Sequence, residues 1–160
     1  MKKIILSFIV SLTIITNGLA AGSSNGGDTK SKYDQAVKFI EAAKKNEKKG
    51  KKDKAQSNYE KALKLLVKSN KEKPNKADTL NYLGFTSRKL GDFENGEKYY
   101  LEGLAIDPNH IGINEYLGEL YVQTNRIDKA NERLEVLKNC NCKEYGELEL
   151  IIKTKGSKVY

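Results

Sequence analysis

The chain has 160 residues, enough for one domain of ordinary size, and its 29 Lys and Arg against 21 Asp and Glu give a net charge of +8. Its apolar fraction of 38% is low for a compact globule and suits an elongated stack of helices. One histidine, His110, and two cysteines, Cys140 and Cys142, leave little material for acid–base or nucleophilic catalysis. The composition therefore argues against an enzyme, and we expect no catalytic residue, no metal site and no cofactor.

The first 20 residues have the order of a secretory signal peptide. Lys2 and Lys3 precede an apolar-rich stretch over residues 4–15, and the segment ends with small residues at Gly18 and Ala20. A stretch of 12 residues is too short to span a bilayer, which needs roughly 20. We expect cleavage after Ala20 and export as a soluble chain, to the periplasm in a bacterium; an uncleaved N-terminal membrane anchor is the alternative.

Residues 21–32 are small, polar and rich in Gly and Ser, which predicts a disordered tether. A helical period begins near Tyr33 and continues to about residue 156. This second region is predicted to be a single all-α domain.

The helical region repeats itself every 34 residues. Two adjoining units cover residues 77–110 and 111–144, and an earlier unit covers residues 36–69. Seven extra residues, 70–76, separate the first unit from the second, and we expect them to lengthen the second helix of the first unit until it ends before Pro74.

Small residues recur at matching positions of the units. Gly84, Gly96 and Gly103 in the second unit correspond to Ala43, Ala55 and Ala62 in the first. Because the positions correspond, we expect close helix crossings there, and we expect alanine to be accepted at Gly96 and Gly103. Gly91 and Asn125 fall in turns between helices, where a positive φ is expected.

After the third unit, residues 143–155 carry one apolar stripe, which predicts a helix that caps the array. The stripe consists of Tyr145, Leu148, Ile151 and Ile152, and Gly156 is the expected end of the helix.

The unit length and the Leu83-Gly84, Tyr100 and Pro108 pattern resemble the tetratricopeptide repeat, and the chain is similar to small exported bacterial proteins of that family. The resemblance implies a right-handed superhelix of three helix–turn–helix repeats with a C-terminal capping helix. It also implies a concave groove, lined by the first helix of each pair, that takes a peptide or helix of a partner protein.

Carried over by position, the resemblance nominates groove residues from each unit, namely Ile40, Lys44, Asp78, Asn81, Phe85, Arg88, Lys89, Glu115, Glu119 and Gln123. Phe85 is expected to be an anchor for the partner rather than a core residue. The paired lysine and asparagine positions with which some members of the family clamp a terminal carboxylate are not reproduced. The partner's identity and the oligomeric state stay open.

Two other functions remain as alternatives to a protein-binding scaffold of the cell envelope. Cys140 and Cys142 are either a local disulfide or a redox-active dithiol, which would make the chain a thiol-redox accessory protein. Residues 44–54 hold seven lysines and could bind anionic lipid or an acidic protein, with membrane contact at most peripheral. The export signal and the lack of interleaved aromatic residues argue against nucleic acid.

Overall fold

A computed structural model describes residues 30–157, and within that range the secondary structure is entirely helical. The helices are α1 (Lys32–Lys48), α2 (Lys52–Glu72), α3 (Ala77–Lys89), α4 (Phe93–Ile106), α5 (Ile111–Gln123), α6 (Ile127–Leu137) and α7 (Lys143–Lys153). The predicted signal peptide, residues 1–20, and most of the predicted tether, residues 21–32, lie outside the described residues. The tether's last residue differs from the prediction, since α1 begins at Lys32 behind the Ser31 cap.

The helices pack as three hairpins in succession. Helix α1 packs mainly on α2, α3 on α4, and α5 on α6, with three-residue connections within each hairpin. Each hairpin also contacts the next one, and α7 packs on α5 and α6 of the third hairpin. The predicted all-α class, with three helix–turn–helix repeats and a capping helix, is confirmed.

The turns within the hairpins use the left-handed conformation that the sequence predicts. Gly91 has φ +86° between α3 and α4, and Asn125 has φ +58° at the matching place between α5 and α6. Asp92 then caps α4, since its side chain accepts a 3.2 Å hydrogen bond from the backbone N–H of Asn95. The caps and the turns together set where each hairpin folds back.

At the glycines expected to mark helix crossings, the neighbouring helix is too close to leave free space for a larger side chain. A Cβ at Gly84 would lie 2.5–2.8 Å from the ring of Tyr100 on α4, far inside van der Waals contact. At Gly103 it would overlap the terminal methyl of Ile113, the flexible end of a side chain. The close crossings are therefore present in the second hairpin and at its junction with the third.

The expectation that alanine fits equally at Gly96 and Gly103 needs correction. A Cβ at Gly96 would lie 3.3 Å from the backbone oxygen of Gly84 and 3.3 Å from Leu120 Cδ1. A backbone atom moves less easily than a side-chain methyl, because its whole helix must move with it. Alanine at Gly96 is therefore expected to be strained, whereas alanine at Gly103 only displaces Ile113.

The connections between successive hairpins end and begin helices at identifiable residues. Helix α2 ends at Glu72, two residues before Pro74, as predicted. His110 caps α5 by accepting a 3.2 Å hydrogen bond at Nδ1 from the backbone N–H of Ile113. Asn114 is fully buried, and its amide donates to the carbonyls of Pro108 (3.0 Å) and His110 (3.1 Å). A buried asparagine is tolerated there because its hydrogen bonds are made.

Candidate functional site

A cavity of about 570 Å³ opens on the face formed by the first helix of each hairpin together with α7. We call it the concave cavity. Its lining residues are Lys44, Glu47 and Lys48 of α1; Phe85, Arg88 and Lys89 of α3; Glu115, Tyr116, Glu119 and Gln123 of α5; and Lys143 and Glu147 of α7. Its volume falls within the range of pockets that hold small ligands in proteins.

Two aromatic rings from successive hairpins form the floor of the concave cavity. The ring centroids of Phe85 and Tyr116 are 4.9 Å apart, and Tyr59 meets the other side of Phe85 at 5.9 Å. Lys44 Nζ lies 4.5 Å from the Phe85 centroid and 3.3 Å from the Tyr116 hydroxyl oxygen. The floor is therefore apolar and already covered by one cation of α1.

Lys44 is half-buried in this setting. Burial lowers its pKa, and the nearby carboxylates of Glu115 and Glu119 oppose that shift. Lys44 makes no ion pair within 4.0 Å among the described residues.

A buried ion pair joins the second and third hairpins beside this floor. Arg88 Nη1 lies 2.7 Å from Glu119 Oε2, and both side chains are almost fully inaccessible to solvent. Burial alone would lower the pKa of Arg88, but the Glu119 carboxylate raises it above its ordinary value. Since a buried pair is strongly destabilised when one partner is lost, this contact fixes the relative positions of α3 and α5.

Glu115 is the most unusual group in the concave cavity. It is 4% exposed, and burial, a hydrogen bond with Glu147 and the charge of Glu119 together raise its pKa to about 9. At neutral pH it is therefore protonated and can donate a hydrogen bond to the carboxylate of Glu147 on α7.

Ion pairs at the rim connect the remaining charged side chains. Lys89 Nζ lies 2.7 Å from Glu47 Oε1, which ties α3 to α1. Lys143 Nζ lies 3.2 Å from Glu147 Oε1 on the same helix, α7. Such exposed pairs stabilise the fold little, and their effect here is to hold charged side chains around the opening.

The structure brings together most of the residues nominated from the sequence. Those that line the concave cavity are Lys44, Phe85, Arg88, Lys89, Glu115, Glu119 and Gln123. Their role in binding a partner stays a prediction, but their shared location matches the expected groove.

The other nominated residues lie elsewhere, which corrects the groove prediction. Ile40 is 2% exposed and belongs to the core between α1 and its neighbours. Asn81 is also buried, and Asp78 borders a separate hollow near the start of α1, where it lies 3.2 Å from His110 Nε2. These residues are a turn or more from the cavity because α1 and α3 cross it near their C-terminal ends.

Phe85 also differs from its prediction. At 4% exposed it contributes to the cavity floor, yet it is packed in the core against Tyr59 and Tyr116. An aromatic ring held in that way cannot project as a free anchor for a partner.

Sequence reasoning missed Tyr116, Glu47, Lys48, Lys143 and Glu147, all of which line the cavity. Glu47 and Lys48 had a usable signal, because they follow Lys44 by three and four positions and so share its helix face. No sequence signal pointed to Lys143 and Glu147, because the repeat pattern does not predict how a capping helix packs on the array.

Cys140 and Cys142 form a disulfide between the end of α6 and the start of α7, with their Cα atoms 5.2 Å apart. The bond leaves no free cysteine in the described part of the chain, and whether it is redox-active stays a prediction. Residues 30–157 contain no group of His, Cys, Asp and Glu arranged to hold a metal ion. None of the described helices is long and apolar enough to cross a membrane.

Known proteins resemble the chain at the level of one repeat and of the fold. Residues 77–110, which cover α3 and α4, match the family model described as Tetratricopeptide repeat. No curated protein sequence matches the chain at a significant level.

Three solved structures illustrate the similarity in fold. The second tetratricopeptide domain of human RPAP3, in complex with an HSP70 peptide, is 18% identical with a TM-score of 0.53, covering 76% of this chain and 98% of that one. The Yersinia enterocolitica type III secretion chaperone SycD, in complex with a peptide of the translocator YopD, is also 18% identical with a TM-score of 0.53, covering 77% and 90%.

A Thermobaculum terrenum O-GlcNAc transferase mutant is 12% identical with a TM-score of 0.58, covering 79% of this chain but 23% of that chain. Because the fold is shared by binding domains and by part of an enzyme, it does not itself decide whether a chain is catalytic. The similarities place the fold of residues 30–157 among tetratricopeptide-repeat structures and identify α3 and α4 as one such repeat.

Proposed function

We propose that the chain is a protein-binding scaffold that holds a peptide or helix of a partner protein in the concave cavity. The observation that carries this proposal is the cavity itself, formed jointly by α1, α3, α5 and α7 with an aromatic floor. A concave site built from several rigid helices is preorganised for a ligand.

The structural neighbours support a peptide ligand in general terms. Human RPAP3 and SycD are each solved with a peptide of another protein, and the fold they share with this chain has a concave face. Tetratricopeptide arrays commonly use such a face for protein interactions. The partner of this chain is a matter for experiment.

We also propose that the scaffold works in the cell envelope. The support is the signal-peptide pattern of residues 1–20, together with two cysteines that suit an oxidising compartment. Mass spectrometry of the protein from its native cells should find Ala21 as the first residue. A chain that retains Met1 and stays in the cytosol would contradict this part of the proposal.

Position-specific photo-crosslinking tests the binding site directly. A benzophenone amino acid replaces Gln123, which is exposed at the cavity rim, and in a control replaces Glu102, which is exposed on α4. After irradiation in living cells, we expect discrete crosslinked products at position 123 and none of the same mass at position 102. The same products at both positions, or none at position 123, would contradict binding in the concave cavity.

A further inference from the structure

The concave cavity contains four carboxyl groups, and three of them have a cation beside them. Glu47 pairs with Lys89 at 2.7 Å, Glu119 with Arg88 at 2.7 Å, and Glu147 with Lys143 at 3.2 Å. Glu115, the fourth, has no lysine, arginine or histidine nitrogen within 4.0 Å in the described part of the chain.

The unpaired carboxyl group is also one of the two that are buried. Glu115 and Glu119 are 4% and 5% exposed, whereas the Glu47 and Glu147 side chains at the rim are 37% and 25% exposed. Glu115 instead shares a hydrogen bond with Glu147, and two adjacent acidic side chains form a site at which a cationic ligand would allow both to be ionised.

Charged groups from every neighbouring helix surround Glu115. Lys44 of α1 is close enough for its charge to interact with Glu115, and Arg88 of α3 lines the same cavity. Glu119 lies one turn along α5, and α7 presents Lys143, Glu144 and Glu147. Arg88 is already committed to Glu119, and Lys143 to Glu147. Lys44 is directed to the aromatic floor and the Tyr116 hydroxyl.

We propose that the concave cavity receives a lysine or arginine side chain of the partner protein, and that its cationic head pairs with the Glu115 carboxylate between Glu119 and Glu147. This inference rests on the proposed function and specifies the chemistry of the bound segment. The cavity, at about 570 Å³, has room for such a side chain beside the ring of Tyr116.

Binding of this kind requires Glu115 to lose its proton. The pKa of about 9 in the free protein means that Glu115 holds a proton at neutral pH, and an incoming cation favours the ionised form. One proton is then released for each cation bound, so affinity rises with pH by up to about tenfold per unit below the free pKa.

A peptide library provides the test. Random twelve-residue peptides with acetylated and amidated ends, which carry no terminal charge, are selected against residues 21–160 of the wild type, Glu115→Gln and Glu102→Gln. Glu102 is exposed on α4, so Glu102→Gln makes the same chemical substitution away from the cavity. Competition with a Gln123→Trp variant, altered at the rim, identifies the peptides that bind in the concave cavity.

We expect cavity-binding peptides from the wild type and from Glu102→Gln to share a lysine or arginine at one position. Glu115→Gln should bind those peptides at least tenfold more weakly. The dissociation constant of the wild type should fall as the pH rises from 6 to 8, and that of Glu115→Gln should change little.

The opposite outcomes separate this inference from the proposed function. Cavity-binding peptides without a basic residue, or equal binding by Glu115→Gln, would overturn the assignment of Glu115 and leave a peptide-binding cavity in place. If no selected peptide is sensitive to Gln123→Trp, both the inference and the proposed function are wrong.

Discussion

At the scale of single residues, Glu115 links the stability of the protein to pH. Its pKa is raised from 4.5 to about 9, chiefly by burial, so the native state holds a proton that the unfolded chain releases. Between those two values the folded protein binds more protons than the unfolded one. The contribution of Glu115 to stability therefore falls as pH rises, which is the opposite of the usual behaviour of a paired carboxylate.

We predict that the wild type loses up to about 1.4 kcal/mol of unfolding free energy for each pH unit between pH 5 and 8 from this group. Glu115→Gln keeps a neutral hydrogen-bonding side chain and should lack that component, so it should be the more stable protein at pH 8. Urea melts at several pH values measure the difference, with Glu102→Gln as the control for the same substitution at an exposed site. Parallel stability curves for wild type and Glu115→Gln would show that Glu115 is ionised in the native state.

Phe85 belongs both to the floor of the concave cavity and to the hydrophobic core. Because its ring packs against Tyr59 and Tyr116, we predict that Phe85→Ala lowers the free energy of unfolding by about 3–5 kcal/mol. Phe93, which is 38% exposed at the start of α4, provides a matched aromatic control whose removal should have a small effect. Equal losses from the two substitutions, measured by thermal or urea unfolding, would show that Phe85 is not part of the core.

The glycines of the second hairpin should differ in their tolerance of a methyl group. Gly84→Ala forces a Cβ into the fully buried ring of Tyr100, and we predict a loss of about 1–3 kcal/mol. Gly103→Ala overlaps the terminal methyl of Ile113, which is the end of a flexible side chain and can shift. The better helix propensity of alanine should offset part of that cost and leave the variant within about 1 kcal/mol of the wild type. Urea melts decide this order, and a Gly84→Ala protein as stable as Gly103→Ala would mean that α3 and α4 do not cross closely there.

At the scale of elements, α7 is both a cap and a wall of the concave cavity. Leu148 is fully buried against the backbone of Gly118 on α5, whereas Leu150 is 38% exposed on the same helix. We predict that Leu148→Ala costs about 2–5 kcal/mol and that Leu150→Ala is close to neutral. Thermal melts of the two variants measure this, and similar melting temperatures would contradict the docking of α7.

Removal of residues 145–160 extends the same argument to most of the helix. The truncated chain should expose the apolar surface of α5 and α6 and should aggregate or bind a hydrophobic dye. A truncated chain that stays monomeric with an unchanged melting temperature would show that α7 does not act as a cap.

The sequence predicted the elements well because each repeat carries its own local signals. The apolar period, the left-handed turn residues Gly91 and Asn125, and Pro74 after α2 all act within a few residues of where they stand. Local signals of this kind are sufficient to predict the helices of a fold in which each helix mainly contacts the helices next to it in sequence. The same signals gave the order of the hairpins.

The concave cavity was predicted less completely because it depends on contacts between hairpins. The stacking of Phe85 on Tyr116 and the ion pair of Arg88 with Glu119 each join α3 to α5, and no periodicity within one helix encodes them. Ile40 was misplaced for a related reason. Its position along α1 is typical of a groove residue, but the packing of α1 on the neighbouring helices buries the Ile40 side chain in the core.

At the scale of the whole molecule, the contact between Lys44 and Tyr116 has a mechanical consequence. In an array whose units contact mainly their neighbours, small rotations between units change the curvature of the whole array. Lys44 of the first hairpin reaches Tyr116 of the third, 72 residues away, so this contact acts as a brace across the inside of the curve. A segment lodged between them would compete with the brace or reinforce it. Binding of a partner at this site would therefore be coupled to the curvature of the helical array.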